Sequence, residues 1–381
     1  MTTKPISPPD LLERLSSVKL TLTCLGLAMI LVVIGTLAQM NMGTFAAQKE
    51  YFNSWWIFTT LGDTSVPFFP GGLTIGALWM ANLLAAFTVK FKYRREDAGI
   101  LVSHFGLILL LAGQFLTQTL AHESNMPIQI SQSRNYTESF RDTELVLIKS
   151  ASNDLDEVTS IPASILSQGG EIHPPRLPFY LVVRHYMKNA QLGMAGAGGH
   201  SLATQGIGTR VAAQEIPTSS SDDEPNTTTI YLDVRQGSQS LGVWLVSLGL
   251  GAPQSFLANG EEYHLAIRPR RYYLPFTLTL KEFHHDIYAG TDIPKNFSSL
   301  VHLSDPAKNE ERDALIYMNH PLRYGGKTFY QASFGEGDRL SVFQVVDNPA
   351  SVTPYVSCAL VVLGLAIQFL SHLLEFTRKR P

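Results

Sequence analysis

Four long, uncharged apolar runs constrain this chain more than any other feature of its sequence. About 20 consecutive apolar residues suffice for a helix to cross the hydrocarbon core of a bilayer. The runs therefore predict a membrane protein with four transmembrane helices. The first run also fits a secretory signal peptide, but its length and the three later runs favour a retained helix. The runs, which contain no Asp, Glu, Lys or Arg, are residues 20–38, 68–89, 99–121 and 353–374.

The long region between the third and fourth runs has an ordinary polar composition. Residues 122–352 contain short alternating or β-branched runs, such as TELVLIK at 143–149, separated by Gly, Pro, Asn and Asp. This pattern predicts a mainly β domain, an antiparallel sandwich or an open barrel. A stretch at 189–226 is rich in Gly, Ala and Ser and predicts a flexible insertion. The other domains are an N-terminal membrane region, 1–121, and a closing helix with a short basic tail, 353–381.

Basic residues predict the orientation, because loops rich in Lys and Arg stay on the cytoplasmic side of the membrane. Three segments are basic: the one before the first run, the loop between the second and third runs, and the tail. The loop between the first and second runs carries only Lys49. Both termini are therefore predicted to be cytoplasmic and the β domain extracytoplasmic. The basic residues are Lys4, Arg14, Lys19, Lys90, Lys92, Arg94, Arg95, Arg378, Lys379 and Arg380.

His104 is an ionisable residue inside the third apolar run. Asp97, just before the run, stands at the position expected for the N-cap of its helix. An imidazole in hydrocarbon is costly and is kept where it binds a metal, carries protons or joins helices. At 1.5 Å per residue, His104 lies roughly 8 Å inside the cytoplasmic end of the helix. Neutral imidazole is a good iron ligand, but the residues alone leave a hydrogen bond to a neighbouring helix equally open.

Composition and spacing exclude several other function classes. The net charge of −3 gives no indication of a nucleic-acid partner. Cys24 and Cys358 stand alone in apolar runs, so no CxxC redox pair exists. No Walker, His-Glu-x-x-His or Ser-x-x-Lys pattern occurs, and no catalytic residues are predicted.

The other candidate histidines are interpreted as structural. His122 and His372 lie near the ends of predicted helices and are interpreted as interfacial anchors. His284 and His285 are neighbours in a strand-like run, so they point to opposite faces and do not form a simple metal-binding pair. His320 precedes a proline and a Gly-Gly pair, which predicts a hairpin.

Three motifs stand out together. The first is IGTLAQ at 34–39, followed by YFNSWW at 51–56; the second is SHFGL at 103–107. The third and most specific is NHPLRYGGKTFYQ at 319–331, with GTDIPKNF at 290–297 ahead of it. These motifs, and the order of three apolar runs, an outer domain and a closing run, resemble the ResB family, also called CcsB, of cytochrome c biogenesis.

The resemblance implies a membrane subunit of a cytochrome c synthase, not catalytic alone, in the bacterial cytoplasmic membrane. Such a subunit carries haem across the membrane and presents it to the CxxCH site of apocytochrome c. His104 is implied as an axial ligand of a haem b iron. The haem is shared with a CcsA-type partner, whose Trp-rich motif this chain lacks. Thiol-reducing proteins are further candidate partners, and Arg323 and Tyr324 are weak candidates for contact with a haem propionate or with the partner.

This chain departs from the family pattern in two respects, and its residues also fit a second function. The outer domain is shorter than in many family members, and the insertion at 189–226 has no counterpart in the family pattern. The alternative is a membrane-anchored β-domain protein that binds or assembles with a partner and holds no cofactor. The two readings differ on whether His104 contacts haem or serves helix packing.

Overall fold

The computed structural model describes residues 8–62, 64–90, 94, 97–152, 155–196, 201–219, 225–288, 290, 294–335 and 337–378. The chain divides into two compact units. The helical unit contains residues 1–122 and 347–381, and the β unit contains residues 123–219 and 223–346. Some of the residues named above lie outside the described ones, namely Lys4, Lys92, Arg95, Lys379, Arg380 and positions 291–293 of the GTDIPKNF segment.

Four helices of the helical unit are each long and apolar enough to cross a membrane. They are α2, α4, α5 and α7, and the prediction of four apolar helices with a large mainly β region is confirmed. The helices of the chain are α1 (Pro8–Leu15), α2 (Val18–Met42), α3 (Thr44–Ala47), α4 (Gly72–Val89), α5 (Ala98–Leu120), α6 (Ala163–Leu166) and α7 (Thr353–Arg378).

A β-hairpin joins α2 to α4 and shortens the second predicted helix. Strands β1 (Trp56–Leu61) and β2 (Thr64–Pro70) pair antiparallel, so the first residues of the second apolar run lie in a strand. Pro70 has a fixed φ and no N–H, and the helix begins only at Gly72. On one face of the hairpin, Ile57 is 3% exposed and packs with Cys24, Leu31 and Ile75 of the helices.

The β unit contains the remaining strands and the short helix α6. Their alternating and β-branched sequences suit pleated, partly buried surfaces. The strands are β3 (His122–Gln129), β4 (Ser133–Ser152), β5 (Leu155–Pro162), β6 (Gly170–Ile172), β7 (Tyr180–Met187), β8 (Ala190–Met194), β9 (Val211–Glu215), β10 (Thr229–Gln236), β11 (Gln239–Ser247), β12 (Gln254–Ala258), β13 (Glu261–Ile287), β14 (Pro294–Asp305), β15 (Glu310–Tyr317), β16 (Leu322–Tyr324), β17 (Lys327–Gly335) and β18 (Leu340–Asp347).

The main sheet runs in the order β15-β14-β13-β4-β3-β18-β17-β16, with β12 beside β13 and β5 beside β4. A second sheet has the order β11-β10-β7-β6. Strand β13 is 27 residues long and contributes to two separate hydrophobic cores, whereas the 20-residue strand β4 contributes to the first of them. One core lies around Leu232 and Leu265, and the other around Phe329 and Phe343.

The segment 189–226, predicted to be a flexible insertion, contains two paired strands among its described residues. Strands β8 and β9 pair antiparallel from Ala190↔Glu215 to Met194↔Val211. Asn189 is 7% exposed, and its side chain donates to Pro217 O at 2.8 Å and accepts from Thr227 N at 2.9 Å. Leu192 and Val211 also pack against the core cluster that contains Tyr231 and Leu245. Positions 197–200 and 220–224 lie outside the described residues.

Candidate functional site

Small residues bring α5 and α7 into close, antiparallel contact. A Cβ added at Gly364 would lie 2.5 Å from the backbone nitrogen of Ser103, and one at Gly99 would lie 2.6 Å from Gly364 O. Further along, a Cβ at Gly113 would lie 2.8 Å from Thr353 Cβ. Small residues of this kind let apolar helices approach until their backbones touch. The contact fixes which face of α5 turns towards α7.

His104 lies on a different face of α5 from this glycine stripe. It follows Ser103 directly, and successive residues of a helix are turned by roughly 100°. Its side chain is half-buried, and its Nδ1 lies 2.9 Å from Ile100 O, one turn earlier in the same helix. A carbonyl oxygen only accepts, so Nδ1 must carry the proton. The basic lone pair of the ring is therefore on Nε2, the nitrogen that ligates a metal in this tautomer.

Asp97 occupies the N-cap position of α5 but does not cap it through its side chain. Its backbone has φ −95° and ψ 4°, and its carboxylate accepts no cap hydrogen bond. An N-cap carboxylate bonds the helix N–H groups from an extended backbone conformation, which Asp97 does not adopt. The predicted N-cap position of Asp97 is therefore confirmed, although its side chain does not make the cap hydrogen bond.

The two halves of the first motif contact each other. A Cβ added at Gly35 of α2 would lie 2.6 Å from Phe52 Cε2, so only glycine lets the Phe52 ring pack here. Phe52 belongs to a short π-helical turn that leads into the β1–β2 hairpin. The motif is thus explained by packing within the helical unit.

Asn82 is a polar residue of α4 that the sequence argument missed. It is 1% exposed, and its side-chain amide donates to Leu15 O at 2.5 Å and to Ser17 O at 3.1 Å. Its carbonyl oxygen accepts from Thr21 Oγ1 at 2.7 Å. Asn82 thereby satisfies carbonyl groups at the break between α1 and α2. The sequence signal for Asn82 is that it is a single amide within an otherwise apolar run.

The third motif forms the turn that follows β15. Asn319 has φ +61°, and His320 N–H donates to Tyr317 O at 2.9 Å. The His320 ring stacks on the Tyr317 ring with centroids 4.6 Å apart. The predicted hairpin at Gly325–Gly326 is the β16–β17 turn, whereas His320 lies in the separate turn that follows β15. Beyond it, β16 pairs with β17 from Leu322↔Phe329 to Tyr324↔Lys327.

Arg323 and Tyr324 point to opposite sides of β16. The Tyr324 hydroxyl donates to Asp305 Oδ2 at 2.7 Å and lies 3.1 Å from Glu310 Oε2. Its burial, and then these two carboxylates, raise the pKa of Tyr324. The same hydrogen bond is the main cause that lowers the pKa of Asp305. Tyr324 is thus committed to an internal network, whereas Arg323 is exposed.

The other histidines lie apart from one another. His284 is exposed beside Glu282, at 3.1 Å, and the neighbouring His285 side chain is 14% exposed and lies 3.2 Å from Asp338. The prediction that the two point to opposite faces is confirmed. His372 lies in α7, with its Nε2 2.8 Å from Gln368 Nε2. Within the described residues no group of three or more His, Cys, Asp or Glu side chains is arranged to hold a metal ion.

Comparison with known proteins finds similarity over part of this chain. Residues 235–342 match the model of the ResB-like family. The cytochrome c biogenesis protein CcsB of Prochlorococcus marinus MIT 9313 is 35% identical over 94 residues, 25% of this chain and 21% of that protein. The resemblance to the ResB/CcsB family is confirmed.

Protein NrfI of Wolinella succinogenes is also similar, with 35% identity over 101 residues, 26% of this chain and 11% of NrfI. The chain thus matches a small part of the length of each relative. The ResB-like segment runs from the end of β10 into β18 and includes the NHPLRYGGKTFYQ motif. It does not include His104, whose role therefore has to be argued from its own geometry.

Proposed function

We propose that this protein is a membrane subunit of a cytochrome c synthase. With a CcsA-type partner, it carries haem across the bacterial cytoplasmic membrane and presents it for attachment to the CxxCH site of apocytochrome c. The name of the Prochlorococcus relative and the ResB-like match support the cytochrome c biogenesis role. The observation that carries the haem assignment is His104, an imidazole on an apolar helix with its basic nitrogen set by a backbone bond.

The residues present fit one axial position of haem b. Nδ1–H of His104 is held by Ile100 O at 2.9 Å, which fixes the ring orientation and the Nε2 lone pair. His104 stands outside the glycine stripe of α5, and its half-buried side chain leaves part of its surface for a partner helix. When bound, haem supplies the vinyl groups to which cysteine thiols add. This chain would hold haem through His104 Nε2 and shield it from water, and the partner would supply any further ligand.

The proposed orientation follows from the basic residues of the helical unit. Arg14 and Lys19 precede or open α2, Lys90 ends α4, and Arg378 ends α7. Each of these four residues lies at or near one end of an apolar helix. These helix ends should all lie on the cytoplasmic side. The β domain, 122–352, is then extracytoplasmic, where apocytochrome c and thiol-reducing proteins meet it. His104 lies near the cytoplasmic end of its helix.

The experiment that tests this function is maturation of a reporter c-type cytochrome in cells without their own maturation proteins. Cells receive the CcsA-type partner with this chain, with the His104→Gly variant, or alone. We expect covalently bound haem in the reporter only with the intact chain, and a loss of about tenfold or more in the variant. His372→Gly, in another apolar helix, is the matched control and should retain maturation.

The alternative function, a membrane-anchored β-domain binding protein without a cofactor, predicts a different result. Maturation would then be the same with the intact chain and with His104→Gly. Equal reporter haem in those two strains, at equal protein levels, would contradict the haem-delivery proposal and favour the alternative.

A further inference from the structure

Strands β15 and β16 start as a hairpin and then separate. Tyr317 and His320 exchange two backbone hydrogen bonds, of 2.9 and 3.3 Å. The next residue is Pro321, which has no N–H to continue the ladder. From there β15 pairs with β14 and β16 pairs with β17, so the two strands are the opposite edges of the main sheet. Within the described residues, no backbone pairing joins β15 to β16 beyond the bridge.

A groove lies where the two strands separate. Its volume is about 310 Å³, and it is lined by Arg312, Ala314 and Leu315 on one side and by residues 320–323 on the other. None of these lining residues is acidic, whereas two are arginines and one is His320. The groove therefore has a positive lining at the seam of the sheet, and it is built from the most specific motif of the chain.

The two arginines are held differently. Arg312 Nε donates to Glu310 Oε1 at 2.9 Å, which anchors the side chain and leaves its terminal nitrogens to act as donors. Glu310 is itself close to the Tyr324 hydroxyl, at 3.1 Å. Arg323 is exposed and, in the part of the chain that the structure describes, has no side-chain hydrogen bond or ion pair. The guanidinium of Arg312 is thus held in one orientation, whereas that of Arg323 is unpaired.

We propose that this groove binds a carboxylate group of the molecule that the β unit handles. The planar guanidinium fork matches a carboxylate in two parallel hydrogen bonds, and a second arginine adds charge from the opposite wall. The two sources of this carboxylate are taken from the proposed function, on which this inference therefore rests. The carboxylate belongs either to a propionate arm of haem or to an acidic side chain of the apocytochrome.

Two probes separate these sources in the purified full chain in detergent micelles. The first is iron-free protoporphyrin IX, compared with its dimethyl ester, which lacks carboxylates. The second is a fluorescein-labelled oligoglutamate peptide. Affinities are measured by fluorescence for the intact chain, for the double variant Arg312→Gln with Arg323→Gln, and for Arg210→Gln. Arg210 is an exposed arginine of the same unit outside the groove.

The double variant loses the charged hydrogen bonds to the carboxylate, so we expect its Kd to rise about tenfold or more. Arg210→Gln should leave Kd unchanged, and Arg323→Lys should retain part of the affinity. If the double variant binds protoporphyrin more weakly but binds the dimethyl ester as tightly as the intact chain does, the carboxylate is a propionate. Weakening of the peptide alone assigns an acidic protein segment.

If both probes bind the double variant as tightly as the intact chain, the groove proposal is overturned. Equal thermal unfolding midpoints establish that the variants are folded. Because neither probe contains iron, these results do not depend on His104, and the cytochrome maturation experiment remains a separate test of the proposed function.

Discussion

The helical unit and the β unit bury their side chains in opposite ways. In the β unit, large apolar side chains such as Phe343 and Leu278 are fully buried. In α7 of the helical unit, Phe369 is 75% exposed, whereas the small Ser357 is fully buried and Gly364 is buried. The large apolar side chains in the cores of the β unit thus point inwards, whereas those of α7 point mostly outwards.

This inversion shows that the two units are built for different solvents. In water, burial of apolar area stabilises the fold, so large apolar side chains collect inside. In hydrocarbon that driving force is absent between helices, and close packing of small residues takes its place. The exposed apolar surface of the four helices is the surface that lipid would cover, and it agrees with the proposed membrane location.

The strongest test of this comparison replaces phenylalanine by alanine in both units. Phe343→Ala in the β unit should lower the free energy of unfolding by about 3–5 kcal/mol, because it leaves a cavity in a closed core. Phe369→Ala in α7 should change it by less than about 0.5 kcal/mol. Thermal unfolding of the detergent-solubilised protein, followed by circular dichroism, measures both. Equal losses would contradict the assignment of opposite solvents.

A smaller effect is expected where helices pack through glycine. Gly364→Ala places a Cβ 2.5 Å from the Ser103 backbone nitrogen and 2.6 Å from Gly99 O. Backbone atoms do not move as easily as side-chain ends, so we expect a loss of about 2 kcal/mol. Gly76→Ala in α4 is the matched control, since a Cβ there meets no atom within 4 Å. A loss as large at Gly76 as at Gly364 would refute the close-packing explanation.

The smallest effect is a pH dependence confined to the β unit. The hydrogen bond from Tyr324 lowers the pKa of Asp305 in the folded protein. The contribution of this bond to stability is therefore complete above the pKa of Asp in the unfolded chain, about 3.9. It is lost as the pH falls through the lower, folded value. Tyr324→Phe removes that donor and should make the acid loss of thermal stability shallower. Asp313, whose pKa is lowered by Lys281 and His302, remains in both proteins. If thermal stability falls equally steeply with falling pH in the intact protein and in Tyr324→Phe, this explanation is contradicted.

Much of the helical unit was predictable from the sequence because a bilayer imposes length and composition on every helix. The third predicted run, 99–121, and α5 (Ala98–Leu120) differ by one residue at each end. The second run was placed too early, because Phe68 and Phe69 are equally apolar in a strand and in a helix. Hydropathy measures affinity for hydrocarbon and does not distinguish the two conformations.

The details of the β unit were less predictable because they depend on contacts distant in sequence. Nothing near Tyr324 indicates that its hydroxyl would meet Asp305 and Glu310, which are brought to it by another hairpin. The β8–β9 pairing likewise depends on distant contacts, because Leu192 and Val211 pack against Tyr231 and Leu245. His104 was found because a single imidazole in an apolar run stands out, whereas Arg312 became noticeable only once the groove placed it opposite Arg323.

The central claim is that His104 holds haem, and the most direct measurement is an absorption spectrum. The chain is purified from membranes with its CcsA-type partner, intact, as His104→Gly, and as His104→Gly with added imidazole. The account predicts a reduced b-type spectrum that weakens in the variant and returns with imidazole, while His372→Gly matches the intact protein. An assembled complex with the same spectrum, or with no haem, in both the intact protein and the His104→Gly variant would contradict it.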